Sequence, residues 1–153
     1  MREPRRRAIR GRPTGGDRAR RALIASALVA LSACHPSARP PAIQVGRECV
    51  RCGMSIEDLR FACERQVERG WRQYDSIECL KSDGGNGPAW LADYDSRTLA
   101  PAESVWVVEG EFPSPMGGGL AAFRDRAAAE EIASRTQGRV ERLAAVAARE
   151  STR

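Results

Sequence analysis

Cys49-Val50-Arg51-Cys52-Gly53-Met54 places two thiols and a thioether within six residues. These are soft, polarisable donors, which favour copper(I) over oxygen-seeking ions. A second thioether, Met116, sits in Pro113-Ser114-Pro115-Met116-Gly117-Gly118-Gly119, a run too rich in Pro and Gly for ordinary helix-face packing. The spacing therefore nominates a metal site with Cys52 and Met116 as core ligands, Cys49 and Met54 as supports, and Cys79 as a possible additional ligand. Arg51, beside Cys52, is expected to lower that thiol's pKa. A closed zinc site competes, but it needs about four N or S ligands, so Cys63 and Cys79 would have to complete it. The chain's one histidine, His35, lies ahead of the domain. A thiol-disulfide pair at Cys49/Cys52 is a third reading. Redox Cys-x-x-Cys pairs open a helix after a βαβ strand, whereas Gly53-Met54 leads towards a turn and a hairpin. A structural disulfide scaffold is a fourth, since Cys49, Cys52, Cys63 and Cys79 allow three full pairings. A Cys49–Cys52 disulfide in the resting protein fits several of these readings, because a reductant would open it before metal loading.

Other chemistry-bearing residues read more plainly. Cys63 falls at an inward strand position and is expected to be a buried structural thiol. Cys79 could supply a third thiolate, but packing is slightly favoured. Asp75 reads as a helix cap, because a carboxylate is a hard donor and an N-cap oxygen satisfies an orphan N–H. Met54 could equally fill a gap in the core. Trp71, Trp90 and Trp106 are core candidates. The domain offers no Ser/His/Asp or Cys/His arrangement, so hydrolytic catalysis has no support and no enzyme activity is expected.

The elements that must position these groups follow from periodicity. Alternation over Leu59 to Val67, a turn at Glu68-Arg69-Gly70 and a strand from Trp71 to Tyr74 make a hairpin. Asp75 with Glu78 has capping-box spacing and predicts a short helix from Ser76 to Lys81. A second set begins with strands Ala89 to Tyr94 and Ser104 to Glu109, separated by a turn at Asp95-Ser96-Arg97. Val105 and Val107 lie on one face of the latter strand, Trp106 and Val108 on the other. Leu120 to Phe123 is a short strand, Asp125 caps a helix from Arg126 to Gln137 that Gly138 stops, and Arg139 to Leu143 returns as a last strand. The fold class is α+β, with small antiparallel sheets and helices in two strand-strand-helix halves. The domain is expected over 46–143, and 144–153 is expected to fray.

Ahead of it, residues 1–33 read as a signal peptide: nine arginines among the first 21 residues, then an apolar run from Ala22 to Leu31. That run is about half the ~20 residues of a membrane-spanning helix. Leu31-Ser32-Ala33-Cys34 resembles a bacterial lipobox, which makes Cys34 the lipidated first residue of the working protein and 34–45, with its prolines, a tether. A secreted protein cut at an ordinary Ala-x-Ala site is the competing reading. Nine arginines against Glu3 and Asp17 are a surplus of seven, so the whole-chain charge of +5 becomes −2 once the signal is removed. Nothing left argues for nucleic-acid binding.

Cys49-Val50-Arg51-Cys52-Gly53-Met54-Ser55-Ile56, Arg60-Phe61-Ala62, Tyr74-Asp75-Ser76-Ile77-Glu78-Cys79-Leu80, Trp90-Leu91-Ala92-Asp93 and Ser114-Pro115-Met116-Gly117 occur in the order seen in the NosL family. The chain resembles these nitrous-oxide reductase accessory lipoproteins from about Cys49 to Leu143. The resemblance implies a MerB/NosL-like α+β fold and a lipid-anchored copper(I) carrier on the periplasmic side of a bacterial membrane. Its implied partner is nitrous-oxide reductase or the machinery that matures it. Some members use a histidine ligand that this domain lacks, and here a sulfur-only site is inferred. The organomercurial lyases share only the fold name with this group.

Overall fold

The computed structural model describes residues 39–150. The signal peptide and Cys34 lie outside the described residues. Strands β1 (Cys63–Val67) and β2 (Gly70–Tyr74) form the expected hairpin, and Gly70 at φ 111° makes the turn that a side chain would resist. Helix α1 (Ile77–Asp83) follows at once. Strands β3 (Ala89–Ala92) and β4 (Leu99–Pro101) complete a four-stranded antiparallel sheet in the order β2-β1-β3-β4. A 3-10 turn at Ala102–Ser104 leads into β5 (Trp106–Glu109), which lies between β6 (Leu120–Phe123) and β7 (Arg139–Glu141) in a second antiparallel sheet. Helix α2 (Arg126–Arg135) packs on that second sheet, and α3 (Leu143–Glu150) ends the described chain.

The α+β class and the small antiparallel sheets are as expected, but the division into halves moves. The segment starting at Ala89 pairs with β1 rather than with the strand at Ser104 to Glu109. Its second partner, β4, has no counterpart in the sequence reading. On either side of 46–143 the core is extended: α3, which starts at Leu143, buries Val146 in the main core, and Ile43 packs against it.

The alternation along β5 decides how the cores are arranged. Val105 and Val107 join Tyr74, Ile77, Leu80 and Leu91 in the larger core, while Trp106 and Val108 face Phe123, Ala129 and Ala133 in the smaller one. The sheets are joined where Asp93 bridges Ala122, with the Tyr94 amide donating to the Ala122 carbonyl at 2.7 Å. Of the three tryptophans, Trp90 is buried and Trp71 meets it edge-to-face from a half-buried position.

Candidate metal centre

The Cys-x-x-Cys segment is a tight loop stitched to itself. The Cys49 amide donates to the Met54 carbonyl at 2.8 Å, the Gly53 amide to the Cys49 carbonyl at 2.9 Å, and the Gly46 amide to the Ile56 carbonyl at 3.0 Å. Gly53, at φ 74°, supplies the left-handed residue that reverses the chain. Ile56 anchors the loop in the core, and the Val50 amide donates to the Gln73 carbonyl at 3.0 Å. That last bond fixes the loop to the end of β2, where the chain passes into α1.

The junction supplies the remaining donors. Ser76, not Asp75, is the N-cap of α1: its hydroxyl accepts from the Cys79 amide at 3.2 Å. With Asp75 released from capping, its carboxylate faces the thiols. Asp75 and Cys79, four residues apart across the start of α1, are presented on one side. One ligand atom from each of Cys49, Cys52, Asp75 and Cys79 lies within 4.8 Å of all the others. This is a metal-sized cluster, assembled from the Cys-x-x-Cys loop and the β2–α1 junction.

Its electrostatics are unusual. The Cys52 thiol donates to Asp75 Oδ2 at 3.5 Å, while Asp75 Oδ1 is buried with no hydrogen-bond partner. Cys49, Asp75 and Cys79 are only 1%, 2% and 2% exposed, and Cys52, half-buried, opens the cluster to solvent. Burial pushes the Cys52 thiol up, the Met54 amide pulls it partly back, and the Asp75 charge adds to the rise. The expected lowering by Arg51 is therefore not what governs Cys52. Burial also raises the Cys79 thiol, helped by its contacts with Asp75 and Cys52. All four described cysteines are free thiols.

Of the nominated residues, Cys49, Cys52 and Cys79 come together. Met54 and Met116 present side chains 44% and 45% exposed. Met54 serves the site through its backbone, which closes the Cys49 loop. Met116 occupies the tip of a β-turn from Ser114 to Gly117, closed by the Gly117 amide on the Ser114 carbonyl at 3.0 Å. Cys63 is the buried thiol expected, outside the cluster, its Sγ donating to the Phe61 carbonyl at 3.2 Å. Asp75 is the member that sequence reasoning missed. The signal available was the spacing Asp75 to Cys79, beside a serine able to take over the cap.

The donor chemistry fits a thiophilic ion. Three thiols can supply the two or three soft ligands of copper(I), and an unpartnered buried carboxylate oxygen is an acceptor that a cation would satisfy. The same four donors also meet the tetrahedral requirement of zinc.

No family model and no curated protein matches the chain. Among solved structures, the chain is similar to the copper chaperone NosL from Shewanella denitrificans, with a TM-score of 0.61 and 20% sequence identity over 70% of this chain and 94% of that one. The α+β fold expected from the sequence is present, and it is a NosL-like fold.

Proposed function

We propose that this protein is a copper(I) carrier, anchored by a lipid on the extracytoplasmic side of a bacterial membrane. It would deliver its ion for assembly of the copper centres of nitrous-oxide reductase or a related cuproenzyme. The observation that carries this reading is the convergence of Cys49, Cys52 and Cys79 beside Asp75, in a chain with the fold of a copper chaperone. Copper is cargo here. Cys52, the half-buried thiol, receives the ion, Cys49 and Cys79 hold it from within, and Asp75 orients Cys52 through its 3.5 Å hydrogen bond. Each bound thiol gives up its proton as the metal arrives. The client rests on the family resemblance and the anchor on Leu31-Ser32-Ala33-Cys34.

The full chain carrying Cys34→Ser, reduced and without oxygen, should bind one equivalent of copper(I) in competition with a chelator. Outer-shell substitutions typically weaken a site about 10–100-fold, so Cys52→Ser should exceed that. Equal affinity in wild type, Cys52→Ser and Cys79→Ser would place the metal elsewhere. Silver(I), a copper(I) mimic, should stabilise the fold by about 2.7 kcal/mol when free ion is 100 times the dissociation constant.

A second reading, zinc, is favoured by Asp75, because a carboxylate completes a four-donor set that copper(I) does not require. Zinc that resists displacement by stoichiometric copper(I) would select it.

A further inference from the structure

We propose that Glu78 is the root of a methionine lid: it fastens the loop bearing Met116 to the helix turn that carries Cys79, so that the thioether covers an ion bound by the thiols. This rests on the metal-carrier reading above.

The chain from Ser114 to Leu120 leaves and returns at one atom. Glu78 Oε1 accepts from the Ser114 hydroxyl at 3.1 Å and from the Leu120 amide at 3.2 Å, and the Ser114 oxygen itself accepts from the Gly119 amide at 2.9 Å. The second oxygen, Oε2, is buried without a partner, so the loop hangs on Oε1 alone. The backbone is pressed against this anchor. A Cβ on Gly118 would lie 2.6 Å from Glu78 Oε1 and 2.7 Å from its Cγ. Between the two fastened ends lie Pro115, Met116 and three glycines, of which Gly117 and Gly119 adopt φ 70° and 65°. Met116 is the only residue of this arm with a side chain able to ligate a metal. At the tip of the Ser114–Gly117 turn it is two residues, roughly 7 Å of extended chain, from the fastening point.

That fastening point is the residue immediately before Cys79, in the first turn of α1. A structural staple between a helix and a loop needs no methionine at its tip and no exposure of that side chain. A carrier benefits from this combination, because the buried Cys49 and Cys79 together with the half-buried Cys52 would alone hold the ion tightly. A neutral thioether on a glycine arm shields the ion until an acceptor's ligand displaces it.

Two measurements test the lid. In protein labelled with 13C at the methionine methyls, silver(I) should shift the Met116 methyl resonance in wild type. In Glu78→Ala silver should still bind the thiols but leave that resonance unmoved. Glu78→Gln removes the charge yet keeps an acceptor oxygen, and should restore the shift. Loaded with copper(I), Glu78→Ala should lose the ion to excess chelator about tenfold faster than wild type, in the range of outer-shell effects. Gly118→Ala, whose methyl would crowd the Glu78 side chain and part the carboxylate from the loop without removing it, should behave like Glu78→Ala, so the test survives if one variant fails to fold. If Met116 shifts equally in wild type and both variants, or in none while silver binds, the lid is wrong and the carrier reading stands. Failure of wild type to bind silver would overturn both.

Discussion

Cys52 and Cys79 are held as thiols, because burial and the neighbouring Asp75 both oppose a second negative charge. Metal coordination requires thiolate, so loading must expel protons from groups whose pKa values lie above neutrality. Affinity then rises with pH, by about tenfold per unit for each thiol deprotonated on binding, because below its pKa a thiol must lose one proton for each metal bound. Competition titrations at pH 6, 7 and 8, corrected for protonation of the chelator, should show this rise. A flat profile would mean that the ligands are already ionised. The residues behind this behaviour were only partly legible in the sequence. Cys49 and Cys52 announced themselves by spacing. Asp75 did not, because Asp and Ser are adjacent and both are good caps; the choice between them depends on which residue starts α1. Once Ile77 opens the helix, Cys79 is the third helical position and bonds Ser76, leaving Asp75 for the thiols.

Elements that have a period were legible, and those too short for one were not. The hairpin of β1 and β2, the two-faced strand β5 and the Asp125 cap of α2 all follow from alternation or capping chemistry. Strand β4 has three residues and ends in Pro101, which reads as loop by any local rule. The transfer of β3 to the first sheet was hidden for another reason: alternation tells a strand which faces it has, never which neighbour it pairs with. What secures that placement is Asp93, at the end of β3. Its Oδ1 accepts from the Arg124 amide at 2.8 Å beyond β6, and its Oδ2 accepts from the Ser96 hydroxyl at 2.6 Å. Burial raises its pKa, but the hydrogen bonds from Ser96 and Arg124 outweigh it and hold the carboxyl below its usual range. A depressed folded pKa stabilises the fold above the unfolded value, near 3.9, and that contribution is lost as pH falls through the lower folded value. Asp93→Asn should cost about 2 kcal/mol at pH 7, as loss of a buried charged acceptor does. The gap from wild type should narrow by pH 3 in urea denaturation. A gap of equal size at both pH values would mean that the charge at Asp93 contributes nothing.

At the scale of the whole chain, charge and hydropathy divide it sharply at Cys34. The arginine surplus lies entirely before that residue, and the chain from Cys34 onward carries −2. Among the described residues no helix is long and apolar enough to cross a membrane. An anchor for this part would therefore have to be something other than a spanning helix in it, and an acyl chain contributes about 0.8 kcal/mol of membrane affinity per buried methylene. Ile43 is already packed on the core, so the stretch from Cys34 to Ile43 can reach no further than roughly 30 Å even fully extended. A carrier on so short a leash would be confined to the membrane surface, where an acceptor must meet it. Cells fed a radioactive fatty acid should label the protein, and the label should sediment with membranes. Cys34→Ser should abolish labelling and move the protein to the soluble fraction, while its reduced copper(I) affinity stays at the wild-type value, because the substitution leaves the cluster of Cys49, Cys52, Asp75 and Cys79 intact. Labelling that persists in Cys34→Ser would place the acyl chain on another residue and remove the lipobox reading altogether.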